Sequence, residues 1–426
     1  MGHEGESAVR DEHPWVDGLG RRAGLPPALD TPGDGGVSVP TPRRQSALVA
    51  AQIFAANRLI LLVISLLTAS LFYDVRGRDH SLLGLWHRWD VSWYIRVADH
   101  GYHWYAPPIQ SDLAFFPLYP LCMHILTLLS PLSAYGAGLL LANLGFAASL
   151  YLLHRLALLD FDRAAADRAV SYLGFFPTSL FFFTAYSEAL YLACCLGCIY
   201  ALRLRRWWLA GLCGMAAALT RQLGLLLAIP FAVEYLRFLQ EGRDLSWRDY
   251  RGLGALALIP AGALLFIAYL QVTLGNGLLF LRAQSAWGRS LAPPWHSVLL
   301  GLDRALHPVT RILPPTRGAT QTLAILDLSF LLLVLLLVGF GARRLSRSYT
   351  LYAVGILLAI LVNPATDRHQ PLVLLSFSRF ALTLFPIYLA LGLAGRNRTV
   401  DRLLPPLFIS LLALFTIIFV RYRWIA

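Results

Sequence analysis

The densest group of tryptophan, tyrosine, aspartate, histidine and arginine residues in this otherwise apolar chain begins at Trp86. Read as one helix, it places Trp86, Trp89 and Trp93 three or four residues apart, which forms a stripe of indole rings suited to the membrane interface. Asp90 lies among these rings, one turn before Tyr94. A carboxylate held at the depth of lipid headgroups can remove a proton from a lipid-linked substrate. We therefore predict that Asp90 is a catalytic base.

Three more ionisable residues lie at the edges of apolar segments, namely Glu188, Arg221 and Arg379. Charged groups at membrane depth are costly and usually serve a function. We therefore assign Glu188 a catalytic role and the two arginines, with Gln222, a role in binding phosphate. Each has a structural alternative, since Glu188 can cap a helix or pair with Arg221, and Arg221 can extend to the interface from a helix end.

These residue types favour glycosyl transfer over other reactions. The sequence has no Ser-His-Asp or Cys-His pattern and no glycine-rich nucleotide loop. Aromatic rings and amides suit a sugar, whereas the guanidinium fork of arginine suits a phosphate. Together they indicate transfer from a polyprenyl-phosphate sugar, in which Arg221 or Arg379 stabilises the departing phosphate without a metal.

No metal or other cofactor is expected. Four histidines near Asp90 are alternative metal ligands, but their spacing fits no compact motif. They are His80, His87, His100 and His103. Cys195 and Cys198 form a CxxC without a second cysteine pair, which indicates helix packing and not a zinc site.

The elements that must position these residues are membrane helices. Hydrophobic residues make up 57% of the 426 residues, charged residues only 14%, and the mean hydropathy is +0.59. Soluble domains of this size do not have such a composition, so we predict an all-α polytopic membrane protein. The net charge of +12 is carried by arginine without lysine, in short connectors between apolar runs. The positive-inside rule explains these connectors without a nucleic-acid partner.

Twelve apolar runs are candidates for membrane segments. If every run crossed, the arginine-rich connectors after Leu204 and Leu236 would lie outside, against the positive-inside rule. Treating Phe115–Leu132 as a re-entrant or surface helix, as its prolines allow, brings these connectors inside and leaves about 10–11 crossings. The runs lie at about 47–72, 115–132, 136–159, 169–186, 189–204, 208–219, 223–236, 253–274, 323–342, 349–362, 380–393 and 404–420.

The domain organisation follows from the same pattern. Residues 1–45 are rich in Gly, Pro, Asp and Arg and predict a disordered cytoplasmic tail, which a transmembrane catalytic domain follows over 46–426. Residues 73–135 form its first external loop, with juxtamembrane helices. This orientation puts Asp90 and the other polar groups on the outer side, away from cytoplasmic nucleotide sugars. The arginine-only composition and the tail indicate a bacterial plasma membrane.

The motifs around Asp90 resemble those of the PIG-V family, which adds the second mannose in GPI-anchor assembly, and of its bacterial membrane relatives. The most specific part is Trp89-Asp90 with Tyr94, Ala98, Gly101-Tyr102 and the Phe-Phe-Pro-Leu-Tyr-Pro run of residues 115–120. Weaker matches are Phe176-Pro177, Thr184-Ala185-Tyr186-Ser187-Glu188, Thr220-Arg221, Ala283-Gln284 with Trp287, Ser378-Arg379-Phe380 and Phe385-Pro386.

The resemblance implies a GT-C glycosyltransferase fold with an acidic residue in each of the first two external loops, which Asp90 and Glu188 match. It implies an inverting enzyme that moves mannose from polyprenyl-phosphate mannose to a lipid or glycan acceptor and forms an α-linkage. The residues expected to bind the substrate and its phosphate are Arg221, Gln222, Arg379, Trp89, Tyr94, Tyr102, Gln284 and Trp287.

Two other functions fit a polytopic protein with charges at membrane depth. A lipid or glycolipid transporter or flippase also carries such charges, but it predicts an internal repeat that the sequence does not show. A non-catalytic subunit of a glycosyltransferase complex is opposed only by the presence of both Asp90 and Glu188.

Overall fold

The computed structural model describes residues 42–72, 81–241, 247–307, 314–364, 374 and 376–423, and within these ranges its regular elements are helices. The prediction of an all-α protein is confirmed. Most of the predicted tail and His80 lie outside the described residues. The first helix begins at Pro42, a few residues before the predicted boundary. Proline is tolerated there because an N–H in the first helical turn has no intrahelical acceptor.

The described residues form seventeen α-helices. They are α1 (Pro42–Leu71), α2 (Asp90–His100), α3 (Leu118–Leu129), α4 (Ala134–Asp160), α5 (Arg163–Gly174), α6 (Glu188–Arg203), α7 (Trp207–Thr220), α8 (Ala228–Leu239), α9 (Trp247–Leu256), α10 (Leu258–Leu274), α11 (Leu279–Ala286), α12 (Pro294–Leu306), α13 (Pro314–Ala342), α14 (Arg347–Leu361), α15 (Phe377–Leu382), α16 (Pro386–Ala394) and α17 (Arg398–Val420). Short 3-10 helices lie at Gly84–Trp86, Asp112–Ala114, Ser179–Phe182 and Gln222–Leu227.

Six of the helical segments in these ranges are long and apolar enough to cross a membrane. They are Arg43–Leu71, Ala134–Asp160, Gln222–Leu239, Tyr250–Leu274, Gln321–Ala342 and Arg398–Val420. The protein is therefore an integral membrane protein, as predicted. The other predicted crossings fall on shorter helices such as α6 and α7, because the polar residues Glu188 and Arg221 interrupt the apolar runs.

The polar stretch of the first loop folds differently from the single predicted helix. Helix α2 begins at Asp90 and not at Trp86, which lies in a 3-10 turn. The Trp86 ring is fully buried against Phe183 and Phe419, at centroid distances of 4.4 and 5.7 Å. Trp89 precedes α2 with a positive φ of 52°. The predicted tryptophan stripe along the bilayer is therefore wrong, because the protein interior takes up the Trp86 ring.

Helix α3 begins and ends near the first loop. Its 12 residues extend only about 18 Å, less than the roughly 30 Å hydrocarbon core of a bilayer. Near its start, the Tyr119 hydroxyl donates to the Gly138 carbonyl of α4 at 2.8 Å. The Tyr135 hydroxyl, at the beginning of α4, donates to the Leu83 carbonyl of the first loop at 2.7 Å. The helix is thus short and contacts α4, and its re-entrant or surface position stays a prediction.

Helices α4, α6, α7 and α14 run between two ends of the bundle. We call the end with the first loop the loop end, which includes Tyr135 and Glu188. We call the other the connector end, where α4 finishes at Asp160 and α6 finishes at Arg203. Asp160 and Arg203 form an ion pair there at 2.6 Å.

The arginine-rich connectors meet at the connector end. Arg203 donates to both carboxylate oxygens of Asp160 at 2.6 Å and also to the Tyr349 hydroxyl at 2.6 Å. Arg205 pairs with Glu241 at 2.6 Å. These contacts bring the ends of α4, α6 and α8 and the start of α14 to one face. These connectors therefore lie on the same side of the bundle. The positive-inside rule led to the same arrangement when Phe115–Leu132 was not counted as a crossing.

Glycine residues set the closest helix crossings. A side chain at Gly145 of α4 would lie 2.8 Å from the backbone of Ala189 in α6. One at Gly262 of α10 would lie 2.7 Å from the carbonyl oxygen of Met215 in α7. Because no side chain fits at these distances, α4 packs directly on α6 and α10 on α7.

Candidate active site

A cavity of about 180 Å³ opens at the loop end. Its walls come from the first loop, the end of α7, the segment after α11 and helix α15. The lining residues are Asp90, Tyr94, Ala114, Phe115, Phe116, Thr220, Arg221, Gln222, Leu223, Gln284, Trp287, Arg289, Ser376, Arg379 and Phe380. Seven of the ten predicted site residues are among them, although they are far apart in the sequence.

A chain of alternating charges forms one wall of the cavity. Asp90 Oδ2 accepts from Arg379 Nη1 at 2.7 Å. Arg379 Nε also donates to Oε1 of Glu188, and Arg221 Nη2 donates to that same oxygen at 2.9 Å. The four residues come from α2, α6, the end of α7 and α15. The fold therefore joins four distant segments into one ion-pair chain.

Glu188 lies beneath the cavity and does not line it. Its side chain has no exposed surface. Its Oε2 atom and Nη1 of Arg221 are buried without a hydrogen-bond partner among the described residues. Glu188 contacts the two arginines and does not line the cavity, and its catalytic role stays a prediction. Buried polar atoms without partners are uncommon and often occur at functional sites.

The backbone before Asp90 is strained and held by several contacts. Trp89 has a φ of 52°, a conformation that costs about 1–3 kcal/mol for a residue with a side chain. The Tyr186 hydroxyl accepts from the Asp90 N–H at 3.3 Å and donates to the Arg88 carbonyl at 3.2 Å. The Trp89 ring packs on Tyr422 with centroids 5.1 Å apart. These contacts fix Asp90 in the first turn of α2, where the helix dipole favours a carboxylate.

Helix α15, which carries Arg379, is held by a residue that was not predicted. Asp327 is a buried aspartate of α13 whose Oδ1 accepts the Ser378 N–H at 3.4 Å. Thr178 donates its hydroxyl to the Ser378 carbonyl at 3.0 Å, and Ser376 adopts a φ of 69°. An aspartate inside an apolar helix is a sequence signal that could have revealed this support.

The segment that leads to Glu188 is fastened to the first membrane helix. Arg58 of α1 donates to the Phe182 carbonyl at 2.9 Å. The neighbouring Asn57 donates to the Gly174 carbonyl at 2.7 Å. Two adjacent side chains of α1 therefore fix both ends of the turn that precedes Glu188.

Arg221 reaches the cavity because the chain folds back after α7. Its backbone is extended, with φ −154° and ψ 142°. The Gly224 N–H then donates to the Arg221 carbonyl at 2.9 Å. A side chain at Gly224 would lie 2.3 Å from the backbone carbon of Ala217, so only glycine permits this turn. The turn places both Arg221 and Gln222 at the cavity wall.

Aromatic rings form another part of the wall. Trp93 stacks on Phe115 at 5.8 Å and lies edge-on to Trp287 at 5.4 Å. Burial raises the pKa of Tyr94 to about 12, so its hydroxyl stays protonated. This hydroxyl donates a hydrogen bond to the Ser187 hydroxyl at 2.7 Å. Tyr94, Phe115 and Trp287 line the cavity and supply apolar contact area beside the charged groups, and Trp93 packs behind them.

Asp112 orders the loop that carries this aromatic wall. Its carboxyl group is fully buried and accepts the His103 N–H at 2.9 Å, and burial raises its pKa above the usual range. The carbonyl oxygen of the neighbouring Ser111 accepts a hydrogen bond from the indole N–H of Trp287 at 3.4 Å. The first loop and the segment after α11 are thereby joined.

Three predicted site residues do not line the cavity. Glu188 lies beneath it, and Trp89 packs on Tyr422. Tyr102 donates its hydroxyl to the Phe115 carbonyl at 2.6 Å. Trp89 and Tyr102 therefore support the first loop, and their predicted contact with substrate stays a prediction.

The cavity also includes residues that were not predicted, above all Arg289, Thr220 and Phe380. Thr220 and Phe380 adjoin predicted residues in the sequence. Arg289 follows Trp287 by two residues, and a search for charged residues next to the predicted motif could have found it.

The described residues include no group of three or more His, Cys, Asp or Glu side chains able to hold a metal ion. The His87 ring stacks on Tyr135 with centroids 5.0 Å apart. That the reaction proceeds without a metal ion stays a prediction.

The part of the chain that carries Asp90, Glu188 and Arg221 resembles one protein family. Residues 47–237 match the model of the family Mannosyltransferase (PIG-V). The PIG-V resemblance is confirmed for this range, and it supports a glycosyltransferase activity. Gln284 and Arg379 lie beyond the PIG-V match. A comparison with curated proteins finds no match.

Matches among solved structures include the oligosaccharyltransferase of Archaeoglobus fulgidus. Its complex with Zn and sulfate is 15% identical, over 85% of this chain and 52% of that chain, with a TM-score of 0.41. The archaeal oligosaccharyltransferase AglB of the same organism, in complex with an inhibitory peptide and a dolichol-phosphate, is 13% identical over 86% of this chain and 55% of that one, with a TM-score of 0.35. The chain spans about half the length of these structures.

Proposed function

We propose that this protein is an inverting GT-C glycosyltransferase that moves mannose from polyprenyl-phosphate mannose to a lipid or glycan acceptor. The observation that carries the proposal is the position of Asp90. Its carboxylate lies in the wall of a cavity lined by arginines and aromatic rings, within the part of the chain that matches a mannosyltransferase family. A base, phosphate-binding cations and apolar rings are the groups that this transfer requires.

The geometry of Asp90 suits a general base. Arg379 holds Oδ2, and Oδ1 has no hydrogen-bond partner in the described part of the chain, so it is open to accept a proton. The acceptor hydroxyl transfers its proton to Asp90 while its oxygen bonds to the anomeric carbon of the sugar. A base positioned in this way contributes about 10²- to 10⁴-fold to the rate.

The bond that breaks joins the anomeric carbon to the phosphate oxygen. Its electron pair leaves with the lipid phosphate, which gains one negative charge. Guanidinium groups of the cavity can stabilise that charge, and the apolar rings beside them strengthen this interaction. A single displacement inverts the anomeric carbon, so a β-linked donor gives an α-mannosyl product.

Transfer itself is the direct test. Membranes that contain the protein are incubated with radiolabelled polyprenyl-phosphate mannose, and we expect a labelled product that depends on the protein. Membranes with the Asp90→Asn variant are the matched control. Movement of intact labelled donor between leaflets without a new product would identify a flippase instead.

We further propose that the protein lies in a bacterial plasma membrane with its N-terminus in the cytoplasm and the cavity on the outer side. The meeting of the arginine-rich connectors at the opposite end supports this orientation. In a chain whose five native cysteines are replaced by alanine, Asp99→Cys should react with a membrane-impermeant thiol reagent in intact cells, and Gln240→Cys should not. The reverse pattern would invert the orientation.

A further inference from the structure

Among the described residues, the cavity contains more positive than negative charge. Three of these residues that line it are arginines, Asp90 is the one carboxylate of this set in its wall, and Glu188 lies behind that wall. Arg379 contacts both carboxylates, and Arg221 contacts Glu188. Arg289 contacts neither, and its polar partner among the described residues is the Asn363 carbonyl at 3.4 Å. Within the part of the chain that the structure describes, one guanidinium charge in the cavity is therefore not matched by a carboxylate.

Arg289 and Arg221 pack against the same aromatic ring. Their Cζ atoms are 5.5 and 5.8 Å from the centroid of the same ring, that of Phe380. Burial, together with the charges of Arg221 and Arg379, lowers the pKa of Arg289 to about 10. Two cations brought together in a site of low polarity repel each other, and an anion between them removes that repulsion.

The position of Arg289 is fixed by the backbone. The N–H of Ser290 donates to the Pro364 carbonyl at 3.2 Å, and the N–H of Ala292 donates to the Val362 carbonyl at 3.0 Å. These bonds attach the segment after α11 to the end of α14. The backbone that follows Arg289 is therefore attached to α14 beside the cavity.

Arg221 has donor capacity left for a ligand. Its Nη2 atom is used by Glu188, while Nη1 is buried without a partner among the described residues. Arg379 differs, since Nη1 donates to Asp90 and Nε to Glu188. Two of its three guanidinium nitrogens are thus used to orient the two carboxylates.

We propose that Arg289 and Arg221 together bind the phosphate of a lipid-phosphate substrate, and that Arg379 is a positioning residue for Asp90 with no contact to phosphate. This inference rests on the proposed function and deepens it. Two guanidinium groups offer planar pairs of donors to phosphate oxygens, a geometry that lysine cannot reproduce.

The test uses the full-length protein in nanodiscs and farnesyl phosphate as the probe, with farnesol as the uncharged control ligand. Isothermal titration should show that Arg289→Ala weakens binding of farnesyl phosphate by about 10- to 100-fold, the range for a lost charged hydrogen bond, and leaves farnesol binding unchanged. Arg289→Lys should recover only part of the loss. Arg282→Ala is the matched control, because Arg282 lies on the neighbouring helix α11 with an exposed side chain. Wild-type affinity in the Arg289→Ala variant, or no binding of farnesyl phosphate by the wild-type protein, would overturn the proposal.

A transfer assay separates this inference from the proposed function. If Arg289→Ala transfers mannose with an unchanged KM for the donor, the phosphate site is wrong and the glycosyltransferase stands. If farnesyl phosphate binds in an Arg289-dependent manner but no lipid-phosphate sugar is ever transferred, the phosphate site stands and the glycosyltransferase is wrong.

Discussion

The two ends of the bundle both contain buried or half-buried arginine–carboxylate pairs, but they use them differently. At the connector end, Arg203 binds both oxygens of Asp160, and the Tyr349 hydroxyl contacts each partner. At the loop end, Glu188 offers one oxygen to two arginines and keeps the other buried without a partner among the described residues. The first pair is saturated, whereas the second leaves donors and acceptors unused.

This difference separates a structural ion pair from a site. A pair that only joins helices gains most when every donor and acceptor is satisfied. The loop end keeps an unsatisfied guanidinium nitrogen in Arg221 and an open carboxylate oxygen in Asp90, and both belong to residues that line the cavity. We infer that a substrate completes the set of hydrogen bonds at the loop end.

The largest contrast is expected when one carboxylate is neutralised at each end. Glu188→Gln leaves two arginines without their shared buried anion, so it should lower the free energy of unfolding by about 3–5 kcal/mol and abolish transfer. Asp160→Asn removes a half-exposed partner and should cost about 1 kcal/mol with transfer retained. Thermal unfolding in detergent and the transfer assay measure both. Equal losses at the two ends would remove the distinction between them.

Asp90→Asn should separate chemistry from folding at the loop end. The change keeps the volume and polarity of the side chain but removes the basic oxygen, so kcat should fall about 100-fold or more while the melting temperature changes little. Asp99→Asn, on the exposed face of the same helix, is the matched control and should keep full activity. Near-normal transfer by Asp90→Asn, together with loss in Glu188→Gln, would move the base to Glu188.

The smallest expected difference between the two ends concerns the shape of the arginine side chain. Arg221→Lys keeps the charge but not the planar fork, so transfer should fall roughly tenfold or more. Arg203→Lys makes the same change at the connector end and should affect stability slightly and transfer not at all. Donor titrations in the transfer assay distinguish the two variants. Full activity in Arg221→Lys would reduce Arg221 to a structural charge.

The sequence predicts the components of the site better than their arrangement. Hydropathy indicates the membrane helices because a long apolar run has few other places to lie. Asp90, Arg221 and Arg379 are predictable because charge is costly at membrane depth. The position of Trp86 was predicted wrongly, because a tryptophan on a helical stripe can lie at the membrane interface or in the protein core. Only its packing partners Phe183 and Phe419 decide between the two positions.

Other features depend on contacts that no local pattern contains. Asp327 supports α15 through a hydrogen bond to a residue 51 positions away. One oxygen of Glu188 accepts from both Arg221 and Arg379, and this arrangement can be recognised only when the positions of α7 and α15 are known. Arg289 is of interest because no carboxylate lies beside it in the described structure. Such an absence can be recognised only when the neighbouring residues are known.

The glycine crossings described above fix two helices that lead to the candidate site. Because Gly145 and Gly262 bring backbones into direct contact, α4 cannot slide along α6, nor α10 along α7, without losing dense packing. Glu188 begins α6 and Arg221 follows α7, so each residue belongs to a helix that is held in this way. We expect this packing to preorganise the charges of the proposed site, so that binding of a donor lipid would not require the bundle to reassemble.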